Sequence, residues 1–217
     1  MEEIEYGKDC AFTFKNFKAI KNIFPEIENW KIEDEKYEKR IENIKTTEIY
    51  KNIKSNKKVY SFIESQKIED KELLSWIDSM SLIYKVFSSD NLKKNIKNNS
   101  SLIQEYIIPY TKNNRADMII CKDNKIVILE FTFEKSRYIE KAQQCFVYKE
   151  ILKQQLNNKI ECYSYVFSYT NEKTANNKGE SKLEEQLEDF INFLNNYLTD
   201  NNALESLINI TGKSKYK

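Results

Sequence analysis

The stretch Arg115–Tyr148, RADMIICKDNKIVILEFTFEKSRYIEKAQQCFVY, decides how this chain of 217 residues folds. Its first half reads as two strands joined by a tight turn at Asp123 and Asn124. In such a hairpin the paired residue numbers keep a constant sum, so Asp117 falls opposite Glu130 and Arg115 opposite Thr132, all on one face. The remaining positions are apolar on both faces. Ile119, Cys121, Ile126 and Ile128 lie on one side, with Met118, Ile120, Val127, Leu129 and Phe131 on the other. That pattern predicts a strand pair buried on both sides.

Directly opposed side chains have Cβ atoms about 4.5–5.5 Å apart, and like charges at that separation destabilise a sheet unless something positive lies between them. A divalent cation is the natural candidate. The segment that follows reads as a helix from about Ser136, a candidate N-cap, to about Leu156. At 100° per residue, Arg137, Lys141, Gln144 and Tyr148 fall within a wedge of about 60°, a polar stripe on a helix that also carries Ile139, Ala142, Phe146 and Leu152. A further strand is expected over Glu161–Thr170.

Strand, strand, helix, strand, with one acid on each of the first two strands and Gln144-x-x-x-Tyr148 on the helix, resembles the PD-(D/E)xK nuclease superfamily. The glutamine–tyrosine spacing is similar to its RecB-like exonuclease branch. The resemblance covers about a third of the chain. It implies an α/β fold with a restriction-endonuclease-like core, a small mixed sheet flanked by helices, and a nuclease that uses Mg²⁺ or Mn²⁺, with DNA ahead of RNA as substrate. It makes Asp117 and Glu130 metal ligands, adds the backbone carbonyl of Phe131, and gives Gln144 and Tyr148 the positioning of substrate or site side chains. A further acid comes in this family from the helix before the first strand, for which Glu105 is the first choice and Glu64 and Glu72 are alternatives.

The chain departs from the family pattern at Thr132, where the motif carries the lysine that orients the attacking water. A threonine can hydrogen-bond a water but brings no charge. Lys141, on the helix stripe, is the expected replacement, and Lys135 the second choice. A Glu-x-Thr strand with a relocated lysine also resembles the cap-snatching RNA endonucleases, although those often use a histidine ligand. Loss of the lysine leaves open a catalytically silent module that binds nucleic acid or a protein partner. Arg115 and Arg137 are candidates for contacting a phosphate.

Composition narrows the chemistry further. The absence of histidine excludes Ser-His and Cys-His catalysis and histidine-bound zinc, so a metal must use oxygen ligands. Three scattered glycines, at 7, 179 and 212, give no phosphate-cradling loop. With 35 basic against 34 acidic residues, a basic surface has to be local. The four cysteines make no Cys-x-x-Cys spacing and read as reduced thiols. Neither an apolar run of membrane-spanning length nor a signal sequence is seen, so a cytoplasmic protein without membrane contact is expected. Self-association is left open.

Residues 1–99 read as a helical elaboration and 100–217 as the nuclease-like core, together one compact unit. Helices are expected over 11–24, 32–53, 60–66 and 69–88, with Asp90 capping a short one that carries Lys93, Lys94 and Lys97. The lysines of 51–58 form another basic segment. Before the hairpin, Pro109 suggests a helix ending near Glu105 followed by a short strand. Ser181 with Glu184 reads as a capping box opening a last helix through Leu183, Leu187, Phe190, Ile191 and Leu194.

Overall fold

Strands β4 (Arg115–Lys122) and β5 (Lys125–Thr132) form the hairpin in the expected register, Met118 against Leu129, Ile119 against Ile128 and Lys122 against Lys125. Asp123 opens the turn at φ 62°, a left-handed conformation that a short polar side chain tolerates. The computed structural model describes residues 4–7, 9–32, 37–112, 114–132, 135–157, 159–168 and 182–198. Among them the hairpin lies inside a six-stranded sheet of order β1-β2-β3-β4-β5-β6. Strands β1 (Ile4–Glu5), β2 (Phe12–Phe14) and β3 (Ser101–Ile107) add on antiparallel beside β4, while β6 (Glu161–Ser168) joins β5 in parallel. Parallel neighbours need a crossover, supplied here by helix α6 (Tyr138–Gln155). The architecture is therefore α/β, a mixed sheet flanked by helices.

The two apolar faces read from the hairpin become two cores. Met118, Ile120, Val127, Leu129 and Phe131 pack with the N-terminal helices and with α7 (Lys182–Tyr197), whose Phe190, Ile191 and Leu194 face inward. Ile119, Cys121, Ile126 and Ile128 pack beneath α6 through Cys145, Tyr148 and Leu152. Helix α4 (Asp70–Ser88) is buried nearly all round, from Leu73 and Trp76 to Val86 and Phe87, as expected of a helix with apolar residues on every face. Its first turn is closed by a capping box, Glu72 Oε2 accepting the Glu69 N–H at 3.1 Å. No described helix is long and apolar enough to cross a membrane.

The N-terminal half differs from its sequence reading. Residues 11–24 are not one helix. Phe12 and Phe14 alternate as a strand on β3 and pack against Phe24, with Phe12 also against Trp76, and only Phe17–Asn22 turn as 3-10 helix. The expected helix over 32–53 is broken into α1 (Tyr37–Ile44) and α2 (Glu48–Ser55), because Thr47 adopts extended backbone and caps the second through the Tyr50 N–H. α3 (Lys57–Gln66) and α4 fall where expected. α5 (Lys94–Asn99) starts after Lys93, not after Asp90. Ser101–Ile107 is strand rather than the end of a helix, since Leu102, Ile103 and Tyr106 fill space on both faces of the sheet. Ser136 lies in a single 3-10 turn before α6 and does not cap it. Ser181 and the end of the strand expected to reach Thr170 lie outside the described residues. Residues on both sides of position 99 share one core, Phe12, Leu73 and Ile77 joining Leu102, Met118 and Phe190.

Candidate acidic site at the end of the sheet

Regular pairing between β4 and β5 stops at Met118 and Leu129, one residue short of the two acids. Asp117 instead turns its carboxylate across the gap, so that Oδ2 accepts the Phe131 N–H at 2.8 Å while its own N–H approaches Glu130 Oε1 at 3.4 Å. In an extended strand the N–H and C=O of one residue point to the same edge, which directs the Phe131 carbonyl toward the Asp117 side as well. The expected Arg115–Thr132 pair does not form. Arg115 pairs with Ile107 of β3, and Thr132 is buried opposite Ser168 of β6.

The neighbouring strand is distorted at the same level. Ile103 and Tyr106 both reach the core under α6, as do Ala116 and Ile119, so the two-residue alternation is broken in β3 and β4 together. The break coincides with Glu105 at φ 55° in mid-strand, a conformation that costs a non-glycine residue on the order of 1 kcal/mol or more. Its effect is to bring Glu105 to the site.

Helix α6 completes the arrangement. Its buried stripe fixes the helix on the sheet, and Lys141, on the adjoining flank, places Nζ 2.5 Å from Glu130 Oε2 and 3.3 Å from Asp117 Oδ2. One turn on, Gln144 Nε2 donates to the Tyr148 hydroxyl at 2.5 Å. Beside this trio lies a second one. Arg115 Nε meets Glu105 Oε2 at 2.9 Å and its Nη2 meets Glu72 Oε1 at 2.8 Å, tying α4 to the sheet. A polar cavity of about 320 Å³ joins them, lined among others by Glu72, Trp76, Glu105, Arg115, Asp117, Lys141 and Gln144.

The electrostatics follow from burial. Glu130 is fully buried, and desolvation pushes its carboxyl well above the ordinary range, with the Asp117 charge adding to the shift and Lys141 opposing it. Glu105 is raised to about 8 by burial and by the Asp117 charge, against the pull of Arg115. Burial alone would lower Lys141, but the Asp117 and Glu130 carboxylates outweigh it and hold the ammonium charged. Burial also raises the Tyr148 phenol, held back by the Gln144 hydrogen bond.

Among the sequence-derived candidates, Asp117, Glu130, Lys141, Gln144, Tyr148, Arg115 and Glu105 come together, and Glu72 joins them from α4. Arg137 does not. It is exposed and paired with Glu140 at 3.0 Å. Glu64 is exposed on α3, and the side chain of Lys135 lies outside the described residues. Trp76 and Asn114 line the cavity without having been singled out, although Trp76 stands four residues after Glu72 on the same helix face.

Compared with known proteins, the chain matches no family model, no curated protein and no solved structure. An ammonium group already seated between two carboxylates indicates a place that favours a cation, and every available donor is a hard oxygen suited to Mg²⁺ or Mn²⁺. Among the described residues, no three acidic side chains converge as a ready-made cage, because Glu105 is turned onto Arg115. Two carboxylates with the rest of the sphere from water is a ligand count that Mg²⁺ accepts.

Proposed function

We propose that this protein is a metal-dependent phosphodiesterase acting on nucleic acid, DNA ahead of RNA, with the chemistry of the PD-(D/E)xK nucleases. The observation that carries the reading is Lys141 Nζ within hydrogen-bonding distance of both Asp117 and Glu130. That is a lysine beside an acid pair, arriving from the helix in place of strand position 132. The order β4-β5-α6-β6 supports it.

Asp117, Glu130 and the Phe131 carbonyl would hold Mg²⁺ or Mn²⁺, which supplies a bound water of lowered pKa and draws charge from a phosphate oxygen. Asp117 is the more exposed carboxylate and meets the incoming water. Lys141, charged throughout, does not take a proton. It orients the attacking water by donation while Asp117 accepts that water's proton, and it stabilises the negative charge gathering on the phosphate as the new phosphorus–oxygen bond forms and the bond to the departing oxygen breaks, that oxygen taking its proton from solvent. Gln144 and Tyr148, hydrogen-bonded to each other on the same flank of the helix, would help position the substrate or the side chains of the site. Incubation of labelled single- and double-stranded DNA and RNA with Mn²⁺ tests the proposal. Cleavage is expected in the wild type and a fall of at least about 10³-fold in Asp117→Ala. Cleavage that survives in that variant contradicts the assigned site.

A second reading, a silent module that binds nucleic acid or a protein, is favoured by one feature. Each acid pair is already matched by a cation of the chain itself, Lys141 in one trio and Arg115 in the other. Under this reading Mn²⁺ leaves the melting temperature unchanged and no substrate is cut.

A further inference from the structure

On the face of α4 turned away from the acidic cavity lies a second cavity, of about 360 Å³. Glu72, Ser75 and Trp76 line the acidic one, whereas Leu74, on the opposite face of the helix, lines this one. Asp78, one turn on from Leu74, sits behind the wall. Arg40 and Ile44, one turn apart on α1, line the far side, and Trp30 and Lys31 come from the segment before α1. A volume of this order suits a small molecule.

The ion pair in that wall is only half used. Asp78 is fully buried, and its Oδ1 alone accepts both from Arg40 Nη2 at 2.6 Å and from Trp30 Nε1 at 2.8 Å. Its Oδ2 has no hydrogen-bond partner among the described residues. An arginine that serves only to neutralise a carboxylate commonly presents two parallel N–H groups to two oxygens. Arg40 is turned off that alignment. It is 7% exposed, and its other nitrogens donate to nothing among the described residues. A buried guanidinium with idle donors in a cavity wall suits an oxyanion, whose two oxygens can take both. Lys31, exposed at the rim, adds a second positive charge, so two cations stand against the one carboxylate of Asp78. The Trp30 ring, held by its bond to Asp78, gives the cavity a flat apolar side that Leu74 and Ile44 extend.

We infer that this cavity binds a small organic anion, a flat ring carrying a carboxylate or phosphate group, with the oxyanion on the free edge of Arg40 and the ring against Trp30. The site lies across α4 from the acidic cavity and does not rest on the phosphodiesterase reading. Neither half of the ligand suffices. The oxyanion supplies the acceptors that Arg40 lacks, and the ring covers the apolar side that a bare inorganic ion leaves to water.

Calorimetric titration of phenyl phosphate, benzoate, phenol and inorganic phosphate into the full chain in EDTA tests the site. One of the two aromatic anions is expected to bind at least about tenfold more tightly than phenol and than inorganic phosphate, and which of them binds better tells phosphate from carboxylate. Arg40→Lys keeps a charge beside Asp78 but loses the fork, and is expected to weaken that anion at least about tenfold. Lys31→Glu, at an exposed position, is expected to weaken it about fivefold. Asp117→Ala is expected to leave the affinity unchanged, which separates this cavity from the acidic site. Binding of neither aromatic anion, no preference over phenol and inorganic phosphate, affinity untouched by both Arg40→Lys and Lys31→Glu, or affinity lost in Asp117→Ala overturns the site. Should Arg40→Lys fail to fold, unchanged affinity in Lys31→Glu alone overturns it.

Discussion

Two basic side chains lie between pairs of acids at the same end of the sheet, and they differ in what they join. Arg115 grows from β4 and grips Glu105 and Glu72 through two separate nitrogens, so its planar fork locks helix α4 onto the sheet. Lys141 reaches down from α6 on a flexible stem and offers one ammonium to two oxygens, Asp117 Oδ2 and Glu130 Oε2. A fork suits a fixed joint, whereas a point charge on a stem can shift when another cation or a phosphate enters. Under the proposed function the arginine is architecture and the lysine carries the chemistry.

Substitutions that remove one cation at a time separate the two roles. Lys141→Met is expected to lower kcat by about 10²–10³-fold, the usual effect of losing one donor aimed at developing charge, with a smaller change in KM. Arg115→Met is expected to act mainly on stability. It strands the buried Glu105 and lowers unfolding free energy by about 1–3 kcal/mol in urea titrations, with kcat within about tenfold of wild type. Its Glu72 contact adds little, because that side chain is about a third exposed. A large rate loss in Arg115→Met with unchanged stability would reverse the assignment.

The smallest expected effect is a pH slope. Glu105 titrates near 8 in the folded protein against an ordinary 4.5, so between those values the folded state binds more protons than the unfolded one. Metal-free stability therefore falls as pH rises from about 4.5 to 8 and levels off above. Glu105→Gln should flatten part of that slope and raise the melting temperature at pH 8 by a few degrees, while Glu130, also raised, keeps the remainder. A slope unchanged by the substitution would place the titrating group elsewhere.

The hairpin was legible in the sequence because three signals agree there. Apolar residues fill both faces, a short polar turn fixes the sum of paired numbers, and one polar stripe marks the helix that follows. The same stripe put Lys141, Gln144 and Tyr148 on one flank of α6. Strand β3 was not legible, because Glu105 in a left-handed conformation breaks the period-two pattern that would have announced it. The Arg115–Glu72 contact joins residues 43 apart and depends on how α4 docks, which no local pattern encodes. Phe12 and Phe14 were drawn into the sheet by pairing with β3, although the aromatic run containing them also fits helical spacing.

The proposed function requires Asp117 and Glu130 to hold a divalent ion together. Calorimetric titration of Mn²⁺ at pH 6 and pH 8, in wild type and in Asp117→Asn, tests it most directly. Binding is expected in the wild type, tighter at the higher pH because burial disfavours the charged form of Glu130 that the ion requires, and loss of binding is expected in the variant. Equal Mn²⁺ affinity in both proteins, or no binding to the wild type at either pH, would contradict it.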